Sequence, residues 1–218
     1  MSKKIAVVLS GCGHKDGAEI TEAVSALIAL SEAGAAYRVF APGDRFAVAD
    51  PISGEPTGES RVILKEAARI ARGRIQDLDE LRAEDFDGLA FPGGFGAALH
   101  LCTFAKQGAA CTVHPEAERV IREFHKAQKP IAAICIAPAL VARVLGPEKV
   151  TLTIGNDKAT ATEIAKTGAV HEECAVDDFV SDRDHRIVST PAYMYDDAKP
   201  HEVFAGVRGA MRELVEMA

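Results

Sequence analysis

Short apolar runs alternate along the chain with segments of helical periodicity, and this alternation constrains the fold more than any other feature. Strands are predicted at residues 5–9, 37–40, 88–91, 131–134, 150–153 and 186–190. Helices are predicted near residues 18–33, 60–72, 115–128, 137–145, 159–167 and 201–217. The runs at 5–9 and 131–134 are continuously apolar, as in strands whose two faces are both covered by helices. We therefore expect an α/β protein with an open, doubly wound and mostly parallel sheet.

No internal repeat or low-complexity linker divides the chain, and 218 residues suffice for one domain with a substantial core. We therefore predict a single domain over residues 1–218. Residues 42–60 are rich in Pro, Gly, Asp and Ser and are predicted to form a surface loop. Residues 61–74, in the helical segment that follows, contain five basic side chains and one acidic side chain. That balance is typical of a solvated helix face, and an anion site is the alternative.

The charge balance argues against nucleic acid as a partner. Acidic residues outnumber basic ones, 32 to 25, and the net charge is −7, whereas phosphate binding needs a basic face. The first apolar run has only five residues, too few for a membrane span or a signal peptide. Five cysteines, an odd number without a secretion signal, favour reduced thiols and a cytoplasmic protein.

The segment around Cys135 carries the strongest local signal for chemistry. Ala133 and Ala137 flank it in the small-x-Cys-x-small spacing of a nucleophile elbow, where larger side chains would collide in the tight turn. A predicted strand precedes the cysteine and a predicted helix follows it. The turn would place the sulfur at the carboxyl end of the sheet, where ligands bind in such folds, and at a helix N-terminus, which favours the thiolate. A buried structural cysteine is the alternative interpretation.

A glycine-rich turn, Phe91-Pro92-Gly93-Gly94-Phe95-Gly96, follows the third predicted strand. Two adjacent glycines let backbone N–H groups approach a ligand closely and form a nest for negative charge. Together with the N–H of Ile136, the N–H groups of Gly93 and Gly94 could form an oxyanion hole. A plain turn is the alternative, and the glycine order does not fit a dinucleotide-binding fingerprint.

The loop after the first predicted strand points to the same edge of the sheet and contains Cys12, His14 and Asp16. Asp16 and Glu19 have the spacing of a helix capping box, which gives Glu19 a structural explanation. We count Cys12, His14, Asp16 and Glu19 as possible pocket residues. Glu22 has no capping role in this pattern, and a solvated position on the helix is its alternative interpretation.

Several motifs together resemble one family. They are Gly-Ala-Glu-x-x-Glu at 17–22, Pro-Gly-Gly at 92–94 and Ala-Ala-Ile-Cys-x-x-Pro at 132–138. This set resembles the ThiJ/PfpI superfamily of class I glutamine amidotransferase-like proteins. The stretches at 9–20, 66–73, 91–98 and 190–194 look more closely like its enhancing-lycopene-biosynthesis, or sigma cross-reacting, subgroup, also known as isoprenoid biosynthesis glyoxalases. The resemblance covers nearly the whole chain.

The resemblance implies a flavodoxin-like α/β sandwich, a homodimer, and chemistry without a cofactor or metal. Cys135 matches the superfamily's reactive cysteine, Glu22 the acidic residue beside it, and Gly94 the oxyanion loop. The chain also departs from the superfamily, because no histidine falls on a known triad position, one of which is Thr153 here. The base that serves Cys135 must then come from Glu22, from the first loop (His14 or Asp16), or from a partner subunit.

Two functions of different classes remain from the sequence. The first is a cofactor-free glyoxalase-type enzyme in which Cys135 attacks a small dicarbonyl such as glyoxal and Glu22 shuttles a proton, yielding glycolate. The second is a non-enzymatic redox sensor or regulatory binding protein that uses the same cysteine. The missing histidine favours the second, and the resemblance to glyoxalases favours the first.

Overall fold

The computed structural model of the protein describes residues 2–218. Its strands are β1 (Lys4–Val8), β2 (Ala36–Ala41), β3 (Arg45–Ala49), β4 (Pro56–Val62), β5 (Ile75–Asp77), β6 (Gly88–Phe91), β7 (Ile131–Ile134), β8 (Thr151–Leu152), β9 (Val170–His171), β10 (Val180–Asp182) and β11 (Ile187–Thr190). Its helices are α1 (Ile20–Glu32), α2 (Ile63–Ile70), α3 (Phe104–Gln107), α4 (Pro115–Lys126), α5 (Ala137–Leu145), α6 (Lys158–Lys166) and α7 (Pro200–Met217).

Seven strands form the central sheet in the order β10-β11-β7-β6-β1-β2-β5. Every neighbouring pair is parallel except β10 with β11. Along β1 the side chains alternate between two cores: Ala6 and Val8 pack with α4 and α5, and Ile5 and Val7 pack with α1, α2 and α7. The doubly wound, mostly parallel α/β sandwich expected from the sequence is confirmed.

Three segments differ from the sequence-based predictions. Residues 42–60 do not form a simple loop, because β3 and β4 pair there as an antiparallel hairpin, and α2 therefore begins only at Ile63. The predicted strand at 150–153 shrinks to β8, which pairs with β9 outside the central sheet. The edge strands β5 and β10 were not predicted; each has only three residues, all of them half-buried.

No helix within residues 2–218 combines the length and the apolar character that crossing a membrane requires. The longest helix is α7, with 18 residues. Its buried face, which includes Val203, Val207 and Leu214, packs on the same core as α1. On another side of the helix, Gly206 lets the backbone of α7 approach strand β11 and the segment that precedes β10.

We predict that Gly206→Ala destabilises the fold by about 1–3 kcal/mol, although alanine normally favours a helix by about 0.5–1 kcal/mol over glycine. A Cβ at Gly206 would lie 2.7 Å from Thr190 Oγ1 and closer still to the carbonyl oxygen of Val176. Gly209→Ala is the matched control, since its Cβ would meet only the ring of Phe179, at 2.8 Å. Urea denaturation of both variants checks this; equal stabilities for the two would contradict it.

Candidate active site

Cys135 lies in a tight turn between β7 and α5, at the carboxyl end of the sheet. Its φ angle is +62°, a left-handed conformation that costs free energy for any residue with a side chain. The backbone N–H of Cys135 donates to the carbonyl oxygen of Thr190, 2.9 Å away, which fixes the turn to the neighbouring strand. Ala133 and Ala137 are fully buried on either side. The backbone therefore has the strained elbow conformation that the small-x-Cys-x-small spacing predicts.

Glu22, in the first turn of α1, is fully buried beside Cys135. Its carboxyl group accepts hydrogen bonds from the backbone N–H of Gly93, at 3.1 Å, and of Tyr193, at 3.3 Å. Its side chain also makes a hydrogen bond with the thiol of Cys135. The carboxyl group thus connects α1 with the turns that follow β6, β7 and β11.

Gly93 makes this close approach possible. A Cβ at this position would lie 2.5 Å from Cys135 Cβ, 2.7 Å from the carbonyl oxygen of Ile134 and 2.8 Å from Glu22 Oε2. Real Cβ atoms do not tolerate such distances, and the first and second neighbours are too rigid to move aside. Any larger residue at position 93 would therefore separate the carboxyl group from the thiol.

The two acidic groups of the site share one environment and do not ionise together. Burial raises the pKa of Glu22 to about 8, and repulsion by Glu19 adds to this, while its hydrogen bonds oppose it. Burial and the charge of Glu22 raise the pKa of the Cys135 thiol above its usual range. At neutral pH both groups are then mostly protonated, and after the loss of one proton the pair holds a single proton that either group can carry.

Two backbone N–H groups favour the thiolate. Those of Gly94 and Ile136 hydrogen-bond to the Cys135 sulfur and lower its pKa. The sequence predicts a helix N-terminus at this position that favours the thiolate. Burial and the neighbouring carboxyl group outweigh these donors, so the net effect is a raised pKa of Cys135. The N–H groups of Gly94 and Ile136 are nevertheless positioned to stabilise negative charge on the sulfur or next to it.

A cavity of about 870 Å³ opens over Cys135. Its charged and polar lining is His14, Glu19, Lys106, Asp157, Thr160, Glu163, Tyr193 and Asp196. Phe95, Phe104 and Met194 supply its larger apolar walls. Sequence reasoning missed the contributions of residues 104–108, 157–163 and 193–196, although Tyr193 lies in the Thr-Pro-Ala-Tyr-Met stretch that carried part of the resemblance.

The four possible pocket residues of the first loop separate into two pairs. His14 and Glu19 line the cavity with Cys135, whereas Cys12 and Asp16 do not. Asp16 instead accepts a hydrogen bond from the backbone N–H of Ala49, 2.9 Å away on β3. Cys12 is half-buried, and its pKa is raised by burial and by nearby Glu66. These two residues connect the first loop to its neighbours and are not part of the cavity wall.

The capping-box assignment is corrected in the same region. Glu19, not Asp16, is the N-cap of α1, and its side chain accepts from the backbone N–H of Glu22 at 2.7 Å. Thr153, at a position where superfamily members carry a histidine, is buried, and its hydroxyl accepts from the N–H of Gly155 at 2.9 Å. The histidine that lines the cavity is His14. Within residues 2–218, no cluster of three or more His, Cys, Asp or Glu side chains is arranged to hold a metal ion.

A doubly wound sheet with a cysteine on a strained strand-to-helix turn defines an α/β protein of the class I glutamine amidotransferase-like fold. Residues 3–188 match the model of the DJ-1/PfpI family, and the chain belongs to that family. It is 44% identical to the human glutamine amidotransferase-like class 1 domain-containing protein 3, mitochondrial, over 98% of this chain and 83% of the relative. It is 41% identical to the rat ES1 protein homolog, mitochondrial, over 98% and 84% of the two chains.

A solved structure is also similar over its full length. The isoprenoid biosynthesis protein with amidotransferase-like domain from Ehrlichia chaffeensis superposes with a TM-score of 0.93 and 38% identity, over 99% of each chain. The resemblance to the ThiJ/PfpI superfamily stated from the sequence is thereby confirmed.

We predict that Glu22→Gln reduces the loss of stability with rising pH. The native pKa of Glu22 is about 8 and its ordinary value is 4.5, so between these values the native state retains a proton that the unfolded state has released. The stabilising contribution of this protonated group is complete below about pH 4.5 and declines as the pH rises to about 8, by roughly 1 kcal/mol per pH unit.

Chemical denaturation at pH 5, 6, 7 and 8 measures this slope. Glu216→Gln, which removes an exposed carboxylate from α7, is the control and should follow the wild type. Parallel profiles for Glu22→Gln and the wild type would show that burial does not keep Glu22 protonated.

Proposed function

We propose that this protein is a cofactor-free glyoxalase-type enzyme that converts small dicarbonyls. The observation that supports it best is the buried Cys135–Glu22 pair, with two backbone N–H groups directed at the sulfur, on the floor of a cavity. The site combines a nucleophile, a group that can carry a proton near neutral pH, and donors for an oxyanion. These three parts suffice for addition to an aldehyde followed by proton transfer.

The reaction begins from the form of the pair that has lost one proton to solvent, in which Glu22 is protonated and the Cys135 thiolate adds to one aldehyde carbon of glyoxal. The alkoxide that forms takes the proton of Glu22, which gives a neutral hemithioacetal. The Glu22 carboxylate then removes the hydrogen on that carbon as a proton, the electrons move to the oxygen of the second carbonyl, and the proton of the first hydroxyl transfers to that oxygen, which gives an enediolate. Return of a proton to the second carbon gives a thioester of glycolate. Water hydrolyses it and regenerates the thiol, so glyoxal and one water yield one glycolic acid.

The cavity supports substrates larger than glyoxal itself. Its volume of about 870 Å³ is far more than a two-carbon compound fills, and ligand cavities for whole metabolites are typically about 300–1,000 Å³. A connection with isoprenoid biosynthesis is proposed only from the name of the similar Ehrlichia protein. The cytoplasmic location and the absence of nucleic acid as a partner stay predictions; the human and rat relatives are named as mitochondrial proteins.

A regulatory role for Cys135 is the second candidate, and it is favoured by Thr153 at a position where superfamily members carry a histidine. The burial and raised pKa of Cys135 slow its oxidation as much as its attack on an aldehyde, so they do not separate the two functions. A sensor is consumed once by oxidation or adduct formation, whereas an enzyme turns over many equivalents. Turnover therefore separates the two functions.

We predict that Cys135→Ala abolishes the conversion of glyoxal to glycolate and that Glu22→Gln lowers its rate by about 10²–10⁴-fold. The first change removes the nucleophile, and the second leaves it but removes the proton carrier. Proton NMR of glycolate formation over many equivalents measures both. Cys174→Ala, which changes a half-buried cysteine outside the cavity, is the control and should keep the wild-type rate. Full activity in Cys135→Ala would exclude catalysis by this cysteine, and no multiple turnover by the wild type would exclude the enzyme and leave the regulatory role.

The homodimer expected from the resemblance is also a proposal, and a stripe on α1 supports it. Ile20, Val24 and Ile28 follow one another at helical spacing and are 49%, 39% and 46% exposed. Contiguous apolar side chains of this size on a surface are typical of protein–protein contacts. A second copy of the chain that packs on this stripe would lie close to Glu19, at the N-cap of the same helix and in the cavity wall.

We predict that Val24→Glu converts a dimer into single chains, because it places a charge in the middle of the buried stripe. Light scattering coupled to size-exclusion chromatography measures the mass directly. Val170→Glu is the matched control, since Val170 is 44% exposed on β9 and outside the stripe. A wild type that runs at the mass of one chain would contradict the dimer.

A further inference from the structure

A second cavity, of about 840 Å³, lies away from Cys135, near the amino-terminal end of the sheet. It is formed around the amino-terminal parts of β2 and β5 and the turn that follows α2. Three arginines line it, Arg38, Arg72 and Arg74, and none of its lining residues is acidic. We call it the arginine groove. In a protein with a net charge of −7, a cavity whose charged lining is entirely basic needs an explanation.

These three arginines lack ionic partners. Within residues 2–218, none of them forms a salt bridge or a side-chain hydrogen bond, and Arg38 only approaches the ring of Phe86, with 6.0 Å from its guanidinium carbon to the ring centroid. Apart from Arg212, the other arginines are engaged with carboxylates, a hydroxyl or backbone carbonyls. Unpaired arginines are thus concentrated in this groove.

The basic segment at 61–74 divides into two parts. Arg61 and Arg69 form ion pairs with Glu66, so their charges are balanced within the fold. Arg72 and Arg74 lie beyond the end of α2 and face no such partner. The first part fits the interpretation of the segment as a solvated helix face. The second part fits the alternative interpretation, an anion site.

The backbone places the positive charges side by side. The parallel register aligns Val39 of β2 with Ile75 of β5, so Arg38 and Arg74, one residue earlier in each chain segment, are lateral neighbours. Neighbouring strands are about 4.8 Å apart, so the long side chains of these two residues can both reach an anion bound beside them. The dipole of α2 attracts a cation to the C-terminus of the helix. That attraction stabilises a cation by about 1 kcal/mol at most on an exposed surface, and it does not explain three arginines in one place.

Apart from Gln76 and the hydroxyl of Tyr37, the other side chains that line the groove are apolar. Leu27 of α1, Ile70 of α2 and Ile75 of β5 are half-buried there, and the ring of Tyr37 is exposed beside them. Arginine side chains match the oxygens of a phosphate group in a bidentate manner, and three of them balance more than one negative charge. We propose that the arginine groove binds a small organic phosphate whose apolar or aromatic part packs against these walls.

Calorimetric titration with phenyl phosphate and with inorganic phosphate tests the proposal. The wild type should bind both, and phenyl phosphate more tightly, because its ring contacts the apolar walls. The double variant Arg72→Gln/Arg74→Gln should weaken phenyl phosphate binding by at least about tenfold. Arg38→Gln is a second variant that should weaken it as well. Arg212→Gln, which removes an unpaired arginine of α7 outside the groove, is the matched control and should bind as the wild type does.

Thermal unfolding of each variant confirms that it is folded, and the titration does not depend on any activity of Cys135. No saturable binding by the wild type, or equal binding by the wild type and the double variant, would overturn the proposal. An equal loss of affinity in Arg212→Gln would also overturn the proposal, because the loss would then follow from the net charge of the protein and not from the groove. Equal affinity for phenyl phosphate and inorganic phosphate would overturn the inference that the ligand has an apolar part.

Discussion

Four segments from distant parts of the sequence meet at the carboxyl group of Glu22, and the arrangement of the site depends on this contact. A buried carboxyl group without partners costs several kcal/mol, so it is tolerated only if it is protonated and hydrogen-bonded. Here the N–H groups of Gly93 and Tyr193 and the thiol of Cys135 surround it. The same burial that threatens stability also raises the pKa of Glu22 toward neutrality, where a group is useful as a proton carrier.

The sequence predicts the interior of the fold better than its margins. β6, β7 and α5 have the predicted bounds, because their apolar residues are fully buried and leave an unbroken pattern. β4 could not be recognised, since six of its seven residues are exposed and include Pro56 and Gly58. The missed hairpin bears on Asp16 as well: its place in the first loop predicts a pocket residue, whereas its carboxylate accepts a hydrogen bond from the N–H of Ala49 on β3.

A similar limit applies to the site. The positions of Cys135 and Glu22 follow from local spacing together with family motifs, since each lies within one turn of a predicted strand or helix. Lys106 and Asp196 could not be found in this way, because they reach the cavity from segments without a repeating pattern. Their placement depends on how residues 102–114 and 191–199 fold back over the sheet. That path is set by long-range contacts such as the bridge between Cys102 and Val113.

The charges around the cavity bear on which molecules enter and leave it. Glu19, Asp157, Glu163 and Asp196 line it against a single lysine, Lys106. Hydrogen bonds from backbone N–H groups lower the pKa values of Asp157 and Glu163, so these two carboxyl groups stay charged. A neutral dicarbonyl meets no electrostatic barrier at such an entrance, whereas a carboxylate product is repelled by it. The acidic lining therefore disfavours anionic ligands at Cys135, and in the proposed reaction it would favour release of a carboxylate product; the proposed anion site, the arginine groove, has the opposite charge.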